Sequence, residues 1–302
     1  MKELHVLSLG AGVQSTTMLL MACHGEITPK PDLVIFSDTG WEPRNVYRHL
    51  EWLKAEVKKF GVEIITVTNG NIREDIFNAV NDSTRFASLP FFTLSTVPIY
   101  EYEEEDEFDE DQVLMFDDLE FETVDKKAIG YKEQKGMVRR QCTREYKIHG
   151  VQQGVRRHLG YEKGQRVKEL VHMWKGISTD EIQRMDMSRD RWIEFRYPLI
   201  EQDMSRQACL DWMEAKGYPA PPKSSCIGCP FHNDAMWLDM KTNDPESWND
   251  AVLVDNVIKQ LPRFKGKAFL HRSCKPLAEV DFNENQMLID NFVNECSGSC
   301  GV

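Results

Sequence analysis

The sequence predicts an α/β protein: a parallel, twisted sheet flanked by helices, with an acidic insertion and a helical C-terminal extension. Three observations carry that prediction. Short apolar runs of strand length alternate with longer stretches of helical periodicity over residues 4–68. The run Leu33-Val34-Ile35-Phe36 is apolar at every position, the pattern of a strand buried on both faces of a parallel sheet. Small and polar residues follow each of the first two strand-like runs, at the place where α/β sheets hold ligands.

The elements follow in order. His5, Val6 and Leu7 begin a strand over about 4–9, and Met18-Leu19-Leu20-Met21 lies in a helix over about 14–24. The second strand, 33–37, ends in Ser37-Asp38-Thr39-Gly40. Pro43 then opens a helix over 43–59, with Val46, Leu50, Leu53 and Val57 at helical spacing. Val62-Glu63-Ile64-Ile65-Thr66-Val67 is rich in β-branched residues and predicts a strand over 63–68. Residues 80–138 read as polar and irregular, with the acidic insertion over about 93–136. A helix is predicted at about 143–159, a strand over Leu170–Trp174, and helices at about 204–216, 233–241 and 246–260. Phe269, Leu270, Phe282, Met287, Leu288 and Phe292 predict that the last fifty residues pack on the core. The chain divides into an α/β domain over 1–225 and a cysteine-containing C-terminal region over 226–302.

A hydrophobic fraction of 41% and a charged fraction of 28% belong to an ordinary globular protein. The absence of an apolar run of about 20 residues excludes a membrane helix. Met1-Lys2-Glu3 leads directly into the first strand, so the expected location is the cytoplasm, where the eight cysteines read as thiols or metal ligands rather than disulfides. The net charge of −12 disfavours general affinity for nucleic acid. Much of that charge lies in Glu101–Asp111, a run expected to be solvated, or alternatively to act as a lid or docking arm. A local basic group (Arg139, Arg140, Arg144, Lys147, Arg156, Arg157) is suited to phosphates.

The chemistry is concentrated in Ser8-Leu9-Gly10-Ala11-Gly12-Val13-Gln14-Ser15. Small residues between a strand and a helix N-terminus let backbone N–H groups approach an anion, and the helix dipole favours it. No Lys-Ser/Thr pair closes the segment, so it is not a Walker A loop. A third glycine at the dinucleotide-binding spacing is missing too. Residues 10–15 instead resemble the PP-loop of the ATP pyrophosphatase and phosphoadenosine phosphosulfate (PAPS) reductase superfamily, Ser-Gly-Gly-x-Asp-Ser, with Gly10 at the leading Ser and Gln14 at the Asp.

Other segments continue the resemblance in the family's order. Asp38-Thr39-Gly40 is similar to the triplet after its second strand, and Cys142-Thr143-Arg144-Glu145-Tyr146-Lys147 to its Cys-x-x-x-Arg-Lys segment. Gly176-Ile177-Ser178 with Arg184 resembles its Gly-x-Arg stretch, Ser178 replacing the Arg. Ser225-Cys226-Ile227-Gly228-Cys229 resembles its Ser-Ile-Gly-Cys segment, and Glu295-Cys296 its Glu-Cys-Gly tail. The resemblance implies an adenine nucleotide α-hydrolase-like fold. It also implies a nucleotide site of Ser8, Gly10, Gly12, Gln14, Ser15, Asp38, Thr39, Gly40, Arg139, Arg144, Lys147 and Arg184, and a catalytic thiol at Cys296, or by position Cys300.

The pair Cys226-x-x-Cys229 has the spacing of two thiolates on one metal centre. With Cys142 as third ligand and Cys300 as fourth, in competition with Cys296 and Cys274, a [4Fe–4S] cluster is expected; in the family's iron–sulfur members the second Cys falls on His232 here, so the ligand set is shifted. Zinc and a metal-free thiol site are the alternatives.

Three functions are expected in that order. The first is a PAPS reductase-like enzyme using PAPS and a thiol donor. The second is an ATP- and Mg²⁺-dependent sulfur transferase that adenylates and thiolates tRNA or DNA, taking sulfur from a donor. The third is a non-enzymatic nucleotide-binding or charge-mimic protein. A homodimer is compatible with each, and no membrane partner is expected.

Overall fold

The computed structural model describes residues 3–81, 89–100, 128–261 and 266–282. The acidic run 101–111 and the tail cysteines Cys296 and Cys300 lie outside the described residues. A parallel five-stranded sheet forms the centre: β1 (Glu3–Leu9), β2 (Leu33–Asp38), β3 (Ile64–Thr68), β6 (Leu170–Trp174) and β7 (Ile193–Arg196), in the order β3-β2-β1-β6-β7. The chain moves outward from β1 to β3, then returns to the other side of β1 with β6. A topological switch point therefore lies between β1 and β6, where open α/β sheets form their ligand crevice.

Helices cover both faces. α1 (Val13–Cys23) is buried at every residue, because the sheet lies on one side of it and α6 (Arg206–Ala215) on the other. α2 (Arg44–Lys58) adds Val46, Leu50, Leu53 and Val57 to the same core, the spacing read from the sequence. On the opposite face α4 (His149–His158) docks with Val151 and Val155 against Val6, Ile35 and Val171. Its close approach needs glycine: a Cβ on Gly150 would stand 2.2 Å from Ser37 Oγ, and one on Gly154 would stand 3.0 Å from Ile35 Cδ1.

The polar, irregular reading of residues 80–138 is corrected. β4 (Phe92–Tyr100) and β5 (Ala128–Met137) pair antiparallel, and β8 (Lys267–Phe269) joins β4 on its other side. The C-terminal extension is thus not wholly helical. α7 (Asp234–Asn243) and α8 (Pro245–Ile258) pack with α3 (Ile72–Asn81) and β8 around a separate core containing Trp237, Trp248, Phe91 and Leu270. Asp255 fixes the returning chain: its carboxylate accepts from Leu270 N at 2.9 Å and Leu277 N at 3.0 Å, and pairs with Lys259 at 2.9 Å. A four-residue helix, α5 (Pro198–Glu201), follows β7. Among the described residues no helix is long and apolar enough to cross a membrane.

Candidate functional site

The turn after β1 delivers the chain to α1 through Gly10-Ala11-Gly12. Ala11 adopts a left-handed conformation (φ 56°) while fully buried, a strained arrangement for a residue with a Cβ. Gly10 N–H donates to Ser15 Oγ at 3.2 Å, Ser15 Oγ reaches Gly12 O at 3.5 Å, and Ser224 donates to Gly10 O. The turn is therefore fixed from both ends. No side chain caps α1, and its first turn holds no acidic residue, so the positive end of the dipole remains available to an anion. Ser8 is buried on β1 opposite Ile35 of β2.

The loop after β6 closes the other wall of the crevice. Gly176 lies so near α1 that a Cβ there would stand 2.9 Å from Ser15 N. Gln14 Nε2 donates to Glu181 Oε2 at 3.1 Å and reaches Ser178 Oγ at 3.4 Å, joining α1 to the short helical turn Thr179–Arg184. An aspartate at position 14 would direct a carboxylate toward that of Glu181, whereas the amide donates to it. Arg184 forms an ion pair with the other oxygen of Glu181.

The third wall is the turn after β2. Asp38 accepts from Gly40 N and from Tyr47 Oη, both at 2.8 Å; burial and the Asp38 carboxylate push the Tyr47 hydroxyl well above its ordinary value. Gly40 (φ 71°) turns the chain, and its missing Cβ leaves room for Asn71. Thr39 is fully buried and donates to Glu42 Oε1 at 3.0 Å. Glu42 pairs with Lys147 Nζ at 3.3 Å, both side chains buried, while Glu42 Oε2 is buried with no hydrogen-bond partner among the described residues. Lys147 lies in a π-helical turn, Thr143–Ile148, a conformation concentrated at functional sites. Arg139 and Arg144 are exposed.

The Cys226 thiol lies against this wall. Cys226 Sγ stands 3.4 Å from Thr39 Oγ1 and 3.6 Å from Glu42 Oε1. Ile227 N donates to Trp41 O at 2.9 Å, and Gly228 packs on the Trp41 ring, where a Cβ would come within 2.1 Å. Cys229 N donates to Cys226 O at 3.0 Å, closing the C-x-x-C turn. Cys142 packs against the apolar cluster that contains Cys226 and Trp41, and the Arg140 guanidinium lies 5.3 Å over the Phe231 ring, so the segment before the π-turn abuts the cysteine loop. Single-ion spacing, with donor atoms within 4.8 Å of one another, is met among the described residues by Glu3, His5 and His172 and not by the three cysteines. Zinc at about 2.3 Å from each sulfur would require such spacing.

Sequence reasoning missed Glu42, Ser224 and Glu181. A glutamate beside Pro43 reads as a helix-start residue, and its burial against Lys147 is a product of tertiary packing alone.

His232 sits behind the cysteine loop. Its Nε2 is 2.8 Å from Ser225 Oγ, its Nδ1 has no partner among the described residues, and its ring meets Trp237 edge to face at 4.6 Å. Complete burial, reinforced by the Lys223 charge, lowers it to about 3; burial lowers His49 to about 4. Both rings stay neutral in the folded chain while the unfolded chain protonates them near pH 6.5. Their stabilisation is thus complete above about pH 6.5 and is lost as pH falls toward the folded values. Between those limits each costs about 1.4 kcal/mol per pH unit. Urea midpoints measured from pH 7 to pH 4 are expected to fall, and His232→Gln to remove about one proton's worth of that slope.

No protein family, curated protein or solved structure matches the chain.

Proposed function

We propose that this chain is a PP-loop enzyme similar to the PAPS reductases, binding an adenine nucleotide at the sheet's switch point and performing sulfur chemistry there. The observation that carries the reading is the position of Cys226, a thiol held on Thr39 and Glu42 in the turn beside the crevice. The uncapped first turn of α1, with Gly10 and Gly12, receives the phosphates. Asp38, Thr39 and Gly40 border the adenosine. Arg139 and Arg144 bring unburied positive charge to the phosphosulfate. The tail thiolate, Cys296 or Cys300, attacks sulfur, forming a sulfur–sulfur bond as the adenosine bisphosphate leaves; one donor thiolate then attacks the cysteine sulfur, expelling sulfite and forming a mixed disulfide, and a second donor thiolate frees the cysteine as the donor leaves as a disulfide.

Two observations support an iron–sulfur cluster over one zinc ion: Cys142 packs on the apolar cluster that contains Cys226, with Cys229 three residues further along the same turn, and the three thiols lack single-ion spacing. Cys142, Cys226 and Cys229 would hold the cluster, with Cys300 as the fourth ligand where Cys296 is the attacking thiol. It would supply redox or sulfur-carrying chemistry that the chain's own side chains lack. Anaerobically purified protein is expected to contain about four irons per chain, and Cys226→Ala to lose them. Iron-free, colourless protein would refute the cluster.

One observation favours the ATP-dependent sulfur transferase as second reading. Glu42 Oε2, buried near the crevice with no partner among the described residues, offers Mg²⁺ the carboxylate oxygen that is lost where Gln14 replaces the family's Asp. Assays separate the two. A reductase releases sulfite from PAPS and a reduced thiol without ATP. A transferase forms AMP and pyrophosphate from ATP when its tRNA or DNA acceptor is present.

A further inference from the structure

The opposite end of the sheet carries a group of side chains that the nucleotide crevice does not use. His5 of β1 and His172 of β6 are register partners on adjacent parallel strands, so both side chains leave the same face. Their rings stack, centroids 4.8 Å apart and planes inclined by 17°. Glu3, two residues before His5 and hence on the same face, places Oε2 3.3 Å from His172 Nε2. Glu194, the register partner of His172 on β7, places Oε2 3.4 Å from His172 Nδ1.

We propose that Glu3, His5 and His172 bind one divalent transition-metal ion of the kind that favours imidazole, such as Zn²⁺ or Co²⁺, with Glu194 orienting His172 from behind. The donor atoms of the three residues already lie within 4.8 Å of one another. The Glu3–His172 separation of 3.3 Å matches two corners of a tetrahedron whose metal–ligand bonds are about 2.0–2.2 Å. A carboxylate on the far nitrogen of a ligating histidine fixes its tautomer and aims its lone pair, the part assigned to Glu194. His5 closes the third corner through Nε2 once its ring turns out of the stack, because near-parallel rings aim their in-plane lone pairs past one another. That moves its ring proton to Nδ1 and ends the bond from Trp174 Nε1, a long one at 3.3 Å. Two nitrogens and one oxygen leave a fourth position open to water. The ion bridges β1 and β6, the neighbouring strands that flank the switch point, and sequence spacing gives no sign of it because only strand register joins the two histidines.

The test titrates the full chain at neutral pH with Co²⁺, followed by Zn²⁺ displacement, in wild type, His172→Ala and Glu3→Gln. The expected result is one equivalent of cobalt with weak visible bands and no sulfur-to-cobalt band, displaced by zinc. Affinity falls about tenfold or more in His172→Ala and measurably in Glu3→Gln. Glu3 is exposed, so its variant keeps the fold even if the histidine variant does not. The proposal is overturned if wild type takes up no cobalt at about 1 mM, a concentration far above any specific site of this kind. It is equally overturned if the folded Glu3→Gln and His172→Ala proteins both bind as wild type does, or if the bound cobalt shows only thiolate bands.

Discussion

Lys147→Met is expected to destabilise the folded chain by about 3–5 kcal/mol, because it leaves the Glu42 carboxylate buried without its cation. Glu42 would then retain only Thr39 and the Cys226 thiol as donors, too little to replace an ammonium group in an interior of low dielectric. The double variant Glu42→Leu/Lys147→Met removes both charges and is expected to recover most of that loss. Urea unfolding of the three proteins at neutral pH measures both quantities. A single-variant loss below about 1 kcal/mol would mean that the pair is solvated, as surface pairs are.

Gly176→Ala is the second large effect. The new methyl group would meet backbone atoms, Ser15 N at 2.9 Å and Ser15 Cα at 3.1 Å, and neither can rotate away. Either α1 or the loop after β6 must move, at a cost of about 1–3 kcal/mol. The first-turn amide groups of α1 move with it, so adenine nucleotide affinity is expected to fall by about tenfold or more. Gly130→Ala is the control: on β5 the added Cβ would make only ordinary contact, 3.8 Å from Ile99, far from the crevice. Calorimetric titration of both variants with ATP and PAPS is the measurement. Equal affinities would separate the loop after β6 from the ligand site.

The sequence displays β1 to β3 and α1, α2, α4, α6, α7 and α8 because each carries a local signal, an apolar run, a helical repeat or a capping residue. Leu33–Phe36 is apolar throughout, Val46–Val57 follows the helical repeat, and Asn233 and Ser205 stand at helix starts, where their side chains cap Met236 N and Ala208 N. β5 was invisible for the opposite reason. Lys132-Glu133-Gln134-Lys135-Gly136 has low strand propensity and is largely exposed, and only pairing with β4 makes it a strand. The Gly10–Ser15 loop and the C-x-x-C turn were legible because small residues and cysteines mark them locally. Glu42 with Lys147, Gln14 with Glu181, and His5 with His172 were not, since each pairing is created by the order of strands in the sheet.

Amide hydrogen exchange of the full chain, with and without an adenine nucleotide, tests the central claim most directly. A nucleotide in the switch-point crevice is expected to slow exchange in residues 9–17, 38–42 and 175–184 together, leaving the β4–β5 pair unchanged. If neither ATP nor PAPS protects any of these segments at about 1 mM, a level that detects even weak complexes, or if protection appears only elsewhere, the crevice is not the nucleotide site.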